Sequence, residues 1–329
     1  MSNFWAELPK PFFMLAPMED VTDAAFRRLI AKNADPTLPR VIFTEFTAAD
    51  GLILADEKGQ RKLRKKLEYS EAERPIVAQL FSSVPERMEK ASKLCAELGF
   101  DGIDINMGCP DRAVEKSGCG AAMIKNPALA REIIRAVKRG AQSAGRRIPV
   151  SVKTRIGYNV NELESWLPEL LKEDIAEVTL HARTRKEMSD VPARWEHIAC
   201  AVEIRDALGS SALIAGNGDV ADIADARVKA AETKCDGVML GRAVFGNPWI
   251  FSGRADTPTP TEKMDALIEH IALFQEHMSG FQSDAVMKRH FKAYIHGWDG
   301  AKELRQKLMD APDLDFATVI LRGELVRST

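Results

Sequence analysis

A cysteine between a glycine and a proline is the first group in this sequence that could do chemistry. Cys109 follows the apolar run at residues 102–105 within the segment 104–110. Proline has no N–H to donate and cannot extend a central strand. The spacing therefore predicts a thiol on a tight turn at the carboxyl end of a strand, where parallel α/β folds place their chemistry. A buried structural cysteine is the alternative, and these residues alone do not decide between the two.

Polar side chains also stand at the carboxyl ends of the other strands that the sequence predicts. In a barrel, side chains at these ends point into the active site. Packing alone does not account for so many of them, because burying a polar group costs free energy unless it has a partner. The residues at these strand ends are Pro17, Met18 and Glu19, then Glu45, Gln79, Asn106, Lys153 with Arg155, His181 with Arg183, Asn217, Gly218 and Asp219, and Gly241 with Arg242.

The glycines after the last two strands predict a phosphate-bearing ligand. Barrels commonly bind a phosphate there through backbone N–H groups and a helix N-terminus, and a helix from Val220 would supply that terminus. No HxH or HExxH spacing occurs, so we expect no metal. Three of these residues also have a purely structural interpretation. Lys153 would be an inward lysine paired with Glu45 or Asp104, His181 a core histidine, and Arg242 a salt-bridge partner.

The elements that would position these residues alternate along the chain. Eight short apolar runs predict strands that are buried on both faces, and each run is followed by a helical pattern. This count over about 250 residues predicts an α/β fold, a TIM (β/α)8 barrel. A doubly wound sheet is the alternative, but residues 16–19 do not form the GxGxxG turn that it usually carries. The predicted strands are residues 12–16, 41–46, 75–81, 102–105, 148–155, 176–181, 212–217 and 237–242.

A small all-helical region is predicted after the barrel. We assign residues 1–253 to the barrel, 254–261 to a stiff Pro/Thr linker and 262–329 to a C-terminal domain of about four helices. Thr259 and Glu262 have the spacing of a capping box, with a proline between them at the first helical position.

The composition is that of an ordinary soluble globular protein. The chain has 329 residues, of which 45% are hydrophobic and 29% charged, and its formal net charge is -2. A wholly basic nucleic-acid binder is thus excluded, and the charged stretch at residues 56–73 is expected to be a solvated face. Five cysteines without a CxxC pair favour a reducing compartment. With no signal peptide or membrane span in the sequence, we expect a cytoplasmic protein.

An ordered set of motifs across residues 12–250 resembles the tRNA-dihydrouridine synthase family. Any one of these motifs alone is weak, but the ordered set, which includes Asn-Met-Gly-Cys-Pro at residues 106–110, is specific. Residues 288–292 and 300–305 also resemble the small helical domain of that family. The other matching segments are 15–18 with 22–23, 44–45, 78–80, 118–122, 151–155, 181–185, 215–218 and 241–242.

The resemblance implies a flavin enzyme that acts on RNA. It implies an FMN-dependent barrel that reduces particular uridines in the D-loop region of tRNA to 5,6-dihydrouridine, with NADPH as the electron source. Hydride would pass from flavin N5 to C6 of the uracil. Cys109 would donate the proton to C5, since a free thiol titrates near about pH 8.5 and is protonated at neutral pH. The residues expected to hold FMN are Pro17, Met18, Glu19, Gln79, Lys153, His181, Asn217, Gly218, Asp219, Gly241 and Arg242.

Substrate contacts are implied at two places. Asn106 and Arg155 would hydrogen-bond the uracil edge, with Arg183 as a further candidate, once the target base is splayed out of the folded tRNA. Basic residues on one face of a C-terminal helix would contact phosphates. Those basic residues are Lys288, Arg289 and Lys292.

One segment departs from the resemblance, and three other functions stay open. Many family members carry a glutamine after the threonine at position 184 and then a Tyr-Gly pattern, but residues 185–194 here do not. The alternatives are an FMN barrel oxidoreductase acting on a small pyrimidine or enone, a flavin-dependent RNA methyltransferase on the same scaffold, and an RNA-binding protein that has lost catalysis. Tight tRNA binding would count against the first, and a colourless protein would favour the last.

Overall fold

A parallel barrel lies at the centre of the computed structural model, which describes residues 3–143, 145 and 148–328. Nine strands occur in this part of the chain, all paired in parallel. In chain order, β1 to β9 are Phe12–Leu15, Arg40–Phe43, Thr47–Ala48, Ile76–Phe81, Gly102–Met107, Val150–Arg155, Glu177–His181, Leu213–Asn217 and Gly237–Leu240.

Eight of these strands close into a ring. β1 pairs with β2 on one side and with β9 on the other, and β2 pairs with β4, so that the series β4 to β9 completes the circle. The two-residue β3 adds only to the edge of β4. The predicted barrel and its eight strands are confirmed. β3 was not predicted, because two residues carry no periodic pattern.

Side chains alternate between the barrel interior and the layer beneath the helices. Along β5, Ile103 and Ile105 join the core cluster that the helices cover, whereas Asp104 and Asn106 turn inward. The inward residues separate into two sets, which we call the apolar half and the polar half. The apolar half is Phe12, Met14, Val41, Phe43, Val77, Leu213, Ala215 and Met239; the polar half is Gln79, Asp104, Asn106, Ser151, Lys153, Glu177, Thr179 and His181.

A short helix closes the amino-terminal end of the apolar half. Helix α1 (Phe4–Glu7) buries Trp5 against Phe12, with ring centroids 5.5 Å apart. Aromatic pairs of this kind contribute about 0.5–1.5 kcal/mol beyond the burial of their area. The helix was not predicted, because four residues are too few to show a helical period.

Helices follow the barrel strands, as predicted, but the predicted start at Val220 is not the observed one. The short helices Ala49–Leu54 and Arg112–Lys116 were not predicted. The helix expected from Val220 begins at Ile223, where the Asp222 carboxylate accepts from the N–H of Asp225 at 2.8 Å. An acidic side chain therefore caps the terminus at which a phosphate was expected. The barrel helices α2 to α10 are Ala24–Asn33, Ala49–Leu54, Glu57–Lys66, Pro85–Glu97, Arg112–Lys116, Pro127–Ser143, Leu163–Leu171, Glu196–Ala207 and Ile223–Thr233.

In the described part of the chain, four further α-helices follow the barrel, as predicted. The first begins with a capping box: Glu262 donates its N–H to Thr259 Oγ1 at 3.2 Å, and Thr259 donates its N–H to Glu262 Oε2 at 2.7 Å. None of the helices that the structure describes has both the length and the apolar character required to cross a membrane. Helices α11 to α14 are Pro260–His277, Met287–Tyr294, Ala301–Asp310 and Leu314–Ser328.

The C-terminal helices pack directly on the barrel. The ring of Phe26 on α2 stacks on His270 of α11 at 4.9 Å, and His270 in turn lies 4.4 Å from the ring of His290 on α12. Burial lowers the pKa of both histidines, so the rings are neutral at neutral pH. One hydrophobic cluster continues from the barrel helices into the C-terminal helices. The domain boundaries assigned from the sequence remain predictions.

Candidate active site

The turn after β5 holds Cys109 half-buried at the carboxyl end of the barrel. Asn106 Oδ1 accepts from the backbone N–H groups of Gly108 at 3.2 Å and of Cys109 at 2.9 Å. The N–H of Ala121 donates to the Cys109 carbonyl at 2.9 Å, and a Cβ at Gly120 would lie 2.5 Å from that oxygen. The glycine-rich segment therefore packs on the cysteine turn. Burial raises the pKa of the Cys109 thiol, so that it keeps its proton at neutral pH.

A directed chain of side-chain hydrogen bonds lies behind this turn. Asp104 accepts from Ser151 Oγ and from Gln79 Nε2, both at 2.7 Å. Gln79 Oε1 then accepts from Asn106 Nδ2 at 3.0 Å. A carboxylate can only accept, so Asp104 decides which end of each amide faces its neighbour and directs the Asn106 oxygen toward Cys109. Burial raises the pKa of Asp104 to about 6, which leaves it mostly ionised at neutral pH.

A cavity of about 620 Å³ opens at the carboxyl end of the barrel, next to this chain. Its volume lies within the roughly 300–1,000 Å³ that is usual for ligand and cofactor sites. Nine of the eleven residues predicted to hold a cofactor line it, and the two others are Glu19 and Gln79. The lining residues are Ala16, Pro17, Met18, Lys153, His181, Arg183, Ser189, Asn217, Gly218, Asp219, Val220, Ala221, Gly241, Arg242 and Ala243.

Lys153 supplies a buried positive charge to the cavity. Its Nζ donates to Asn217 Oδ1 at 3.2 Å, and no hydrogen bond among the described residues joins it to Glu45 or Asp104, the alternative partners considered from the sequence. Burial, with the charge of Arg155 beside it, lowers the pKa of Lys153 to about 8. The ammonium group is therefore still mostly protonated at neutral pH and is available to an anionic ligand atom.

Asp219 holds two arginines at the rim of the cavity. Its carboxylate pairs with Arg183 and with Arg242, and the hydrogen bond from Arg183 lowers the pKa of Asp219. Arg183 is buried and also donates to the carbonyl of Val191 at 2.6 Å, and its Nη1 contacts His181 Nε2 at 3.1 Å. The Arg242 side chain remains 68% exposed. Asp219 thus orients the arginines, and Arg242 is the one with room to meet a ligand.

Arg155 fastens the cysteine turn to the loop that follows β7. Its Nε donates to the carbonyl of Gly108 at 2.8 Å, and its Nη1 donates to the carbonyls of Thr184 at 3.0 Å and Met188 at 3.1 Å. Burial lowers the pKa of Arg155 to about 10, still far above neutral pH. Three bonds to backbone carbonyls make this arginine a clamp between two loops of the rim.

Glu19 points away from the cavity. Its carboxylate pairs with Lys66 at the end of α4, and one oxygen each from Glu19, Asp20 and Glu45 lies within 4.8 Å of the others. Burial raises the pKa of Glu45 to about 7. The ammonium group of Lys66, 4.0 Å from Glu45 Oε1, lies against this acidic group and offsets its charge.

The predicted basic face of α12 is only partly free. Lys288 Nζ donates to the carbonyl of Met309 at 2.8 Å and so caps the end of α13. Arg289 is exposed and its Nη1 lies 3.6 Å from Asp20 Oδ2, and Lys292 is exposed one turn later. Two of the three predicted phosphate contacts therefore remain available.

Residues of the polar half add to the predicted set. Ser151 lies two positions before Lys153, and Glu177 lies four positions before His181. Side chains two or four positions apart on a strand share a face, so this period could have placed both residues inside the barrel. It could not have shown that Ser151 and Gln79 meet at Asp104, because that contact joins three strands.

Fold and site together define a (β/α)8-barrel enzyme, and comparison with known proteins gives its family. The family model described as "Dihydrouridine synthase (Dus)" matches residues 14–324. The chain is 41% identical over 324 residues to the probable tRNA-dihydrouridine synthase of Staphylococcus aureus (strain COL), covering 97% of this chain and 94% of that one. It is 41% identical over 321 residues to the probable tRNA-dihydrouridine synthase 2 of Bacillus subtilis (strain 168), covering 97% of this chain and 95% of that one.

This chain belongs to the dihydrouridine synthase family and is an oxidoreductase. Among solved structures, a complex of 2-naphthoyl-CoA reductase with 2-naphthoyl-CoA aligns with a TM-score of 0.53 at 12% identity, over 73% of this chain and 49% of that chain. At that identity the likeness concerns the fold alone. The resemblance stated from the sequence motifs is confirmed.

Proposed function

We propose that this protein reduces uridines in the D-loop region of tRNA to 5,6-dihydrouridine, with bound FMN and with NADPH as the electron source. The observation that carries the proposal is a protonated, half-buried thiol at the carboxyl end of the barrel, the end at which a cavity lined by Lys153, Arg183 and Arg242 also opens. Family membership and the curated relatives named tRNA-dihydrouridine synthase support the substrate class.

The cavity fits an anionic, phosphate-bearing cofactor of the size of FMN. Gly218 has a φ of 122°, and a Cβ there would lie 2.9 Å from the Cβ of Ala193. Only a residue without a side chain therefore fits at this position on the rim of the cavity. Arg242 and the backbone of Gly218 and Gly241 would hold the phosphate, and Lys153 would face the electron-rich end of the ring system. When bound, the flavin supplies the hydride for C6 of the uracil.

The protein's own part in the reaction is to give one proton and to hold one base. Cys109 donates its thiol proton to C5, a role that needs a group protonated at neutral pH, as its raised pKa provides. Asn106 has already used its oxygen on the turn and one amide hydrogen on Gln79. Its second amide hydrogen is the donor that could reach a uracil oxygen.

Mass-spectrometric mapping of dihydrouridine tests the proposal directly. Unmodified tRNA is incubated with the protein, FMN and NADPH, and we expect a mass gain of about two daltons on a D-loop uridine. Cys109→Ala should lower the rate by about 10²–10⁴-fold, the range expected for removal of a general acid. Cys119→Ala is the matched control, because Cys119 lies buried in the neighbouring glycine-rich segment and should leave the rate nearly unchanged.

Two other results would count against the proposal. Yellow protein that oxidises NADPH yet leaves every uridine unchanged would favour a reductase of a small pyrimidine or enone. An equal loss of rate in the Cys109 and Cys119 variants would show that the thiol of Cys109 has no special part in the reaction.

A further inference from the structure

Helix α4 carries a concentration of positive charge that the proposed reaction does not use. Six of its ten residues are lysine or arginine, and none of the ten is fully buried. The whole chain has a formal net charge of only -2, so this helix is a local basic patch on a nearly neutral protein. A solvated face was expected here from the sequence.

Four of the six cations form no ion pair with any of the described residues. Lys65 pairs with Glu68 at 2.6 Å and Lys66 pairs with Glu19. None of the ion pairs found among the described residues includes the other four, and all four are exposed. Those four are Lys58, Arg61, Lys62 and Arg64.

An aromatic ring from the C-terminal region lies against these cations. Phe281 belongs to the loop between α11 and α12, and its ring centroid lies 5.6 Å from the Arg61 guanidinium and 5.1 Å from Lys65 Nζ. Two open grooves of about 560 and 570 Å³ flank the ring, and Arg61 and Phe281 line both of them. The barrel and the C-terminal helices thus build this surface jointly.

The carboxylates at the edge of these grooves do not cancel the charge. Glu68 is already paired with Lys65, and Asp56 Oδ1 caps α4 by accepting from the N–H of Gly59 at 2.8 Å. Glu57 lies in the first turn of the helix, where the helix dipole favours an acidic side chain.

The basic surface reaches the rim of the barrel. Lys66 at the end of α4 pairs with Glu19, which follows β1. Beside Phe281, the Nε2 of Gln282 lies 3.5 Å from Asp20 Oδ1, and Arg289 of α12 lies 3.6 Å from Asp20 Oδ2. The cations of α4 and the exposed cations of α12 therefore lie on either side of one short segment of the rim.

We infer that Lys58, Arg61, Lys62, Arg64 and Phe281, which we call the α4 surface, bind the sugar–phosphate backbone of the tRNA substrate. The inference rests on the proposed function and adds a contact surface to it. The four cations span about 9 Å along the helix, a length that meets a few consecutive phosphates. Phe281 places an aromatic ring among these cations, an arrangement typical of surfaces that bind single-stranded RNA. An unpaired base would stack on this ring in place of one of the two cations that now cover it.

The test compares two double variants for their affinity for a tRNA transcript across a range of salt concentrations. Arg61→Gln with Arg64→Gln should weaken binding roughly 10- to 100-fold at low salt, and the slope of log affinity against log salt should become shallower by about one per cation removed. Lys90→Gln with Lys93→Gln, which removes two exposed cations from α5, should bind within about twofold of wild type. Equal melting temperatures show that both variants are folded.

A single variant tests the ring separately. Phe281→Leu keeps the apolar bulk and should weaken binding roughly tenfold without changing the salt slope, because stacking does not release counterions. An unchanged affinity in this variant would overturn the stacking part of the inference.

The remaining outcomes separate this inference from the proposed function. If wild type modifies tRNA while the Arg61 and Arg64 variant keeps its affinity and salt slope, the α4 surface does not contact the substrate and an acidic protein partner becomes the better occupant. If wild type neither binds nor modifies tRNA, the proposed function itself is wrong and the inference fails with it.

Discussion

The two halves of the barrel interior differ in composition although they belong to one sheet. In the apolar half, aromatic and aliphatic side chains fill the space, with Trp5 closing the amino-terminal end. In the polar half, Asp104, Gln79 and Asn106 occupy equivalent inward positions and form a hydrogen-bonded chain. Burying polar groups costs free energy unless they are hydrogen-bonded, so each of these side chains is fixed by its partner. The apolar half therefore stabilises the barrel, whereas the polar half orients Asn106 and the turn that carries Cys109.

The largest effect is expected from the apolar half. Phe12→Ala removes a fully buried ring that packs against Trp5 and lies close over Gly237. The free energy of unfolding should fall by about 3–5 kcal/mol, through lost transfer energy and the cavity left behind. Urea unfolding followed by circular dichroism measures this loss.

Turnover per folded molecule should stay the same in this variant, because Phe12 begins β1, at the opposite end of the barrel from Cys109. Phe12→Leu is the control and should lose less stability, since it leaves a smaller cavity. A Phe12→Ala variant that loses turnover but keeps wild-type stability would show that the apolar half does not act mainly on stability.

A smaller effect, on activity, is expected from the polar half. Gln79→Glu places a second carboxyl group opposite Asp104, whose oxygen lies 2.7 Å from the side-chain nitrogen of Gln79. Repulsion between two carboxylates at that distance raises the pKa of one of them, so the pair keeps one proton at low pH and the chain stays intact. As pH rises and the proton leaves, repulsion should displace Asn106 and the cysteine turn. We expect kcat/KM to fall roughly tenfold or more relative to wild type by pH 8.

A double variant controls for the added charge. Gln79→Glu with Asp104→Asn again places one carboxyl group opposite one amide, so each donor has an acceptor. The double variant should recover much of the activity at pH 8, although it carries the same new carboxyl group near the cavity. Identical pH profiles for the single and double variants would show that the hydrogen-bonded chain does not orient the turn.

Much of the fold could be predicted because its signals are local. Apolar runs marked the strands, the Thr259 and Glu262 pair marked the start of α11, and the strand-end rule selected ten residues that line the cavity. These patterns lie within a few residues of one another along the chain. The start of α10 was placed three residues too early, since Asp222 caps the helix.

What could not be predicted depends on contacts between distant segments. Lys288 and Lys62 of α4 are the same type of residue, yet Lys288 caps α13 whereas Lys62 is exposed and belongs to none of the ion pairs among the described residues. Only the packing of helices against one another distinguishes them. The same holds for Asp104, whose partners come from two neighbouring strands, and for Arg155, whose three acceptors lie on two different loops.

The smallest effect is expected within the polar half, at Glu177, one of whose carboxylate oxygens has no hydrogen-bond partner among the described residues. Glu177 accepts from Thr179 Oγ1 at 2.6 Å, but its other oxygen is buried without a partner among the described residues. Burial raises the pKa of Glu177 well above its usual value. The unfolded chain releases this proton at a lower pH than the folded one, so Glu177 costs stability increasingly as pH rises above about 4.5.

Glu177→Gln should remove that cost. The variant should match wild type near pH 4.5 and exceed its unfolding free energy by about 1 kcal/mol or more at pH 8, as measured by urea unfolding at both pH values. Glu173→Gln gives the opposite sign: burial alone would raise the pKa of Glu173, but hydrogen bonds from Arg135 and Arg131 outweigh it and lower the pKa. Its loss should therefore cost stability at pH 8. A Glu177→Gln variant less stable than wild type at pH 8 would contradict this expectation. It would mean that Glu177 is ionised in the folded barrel and that a partner stabilises its charge.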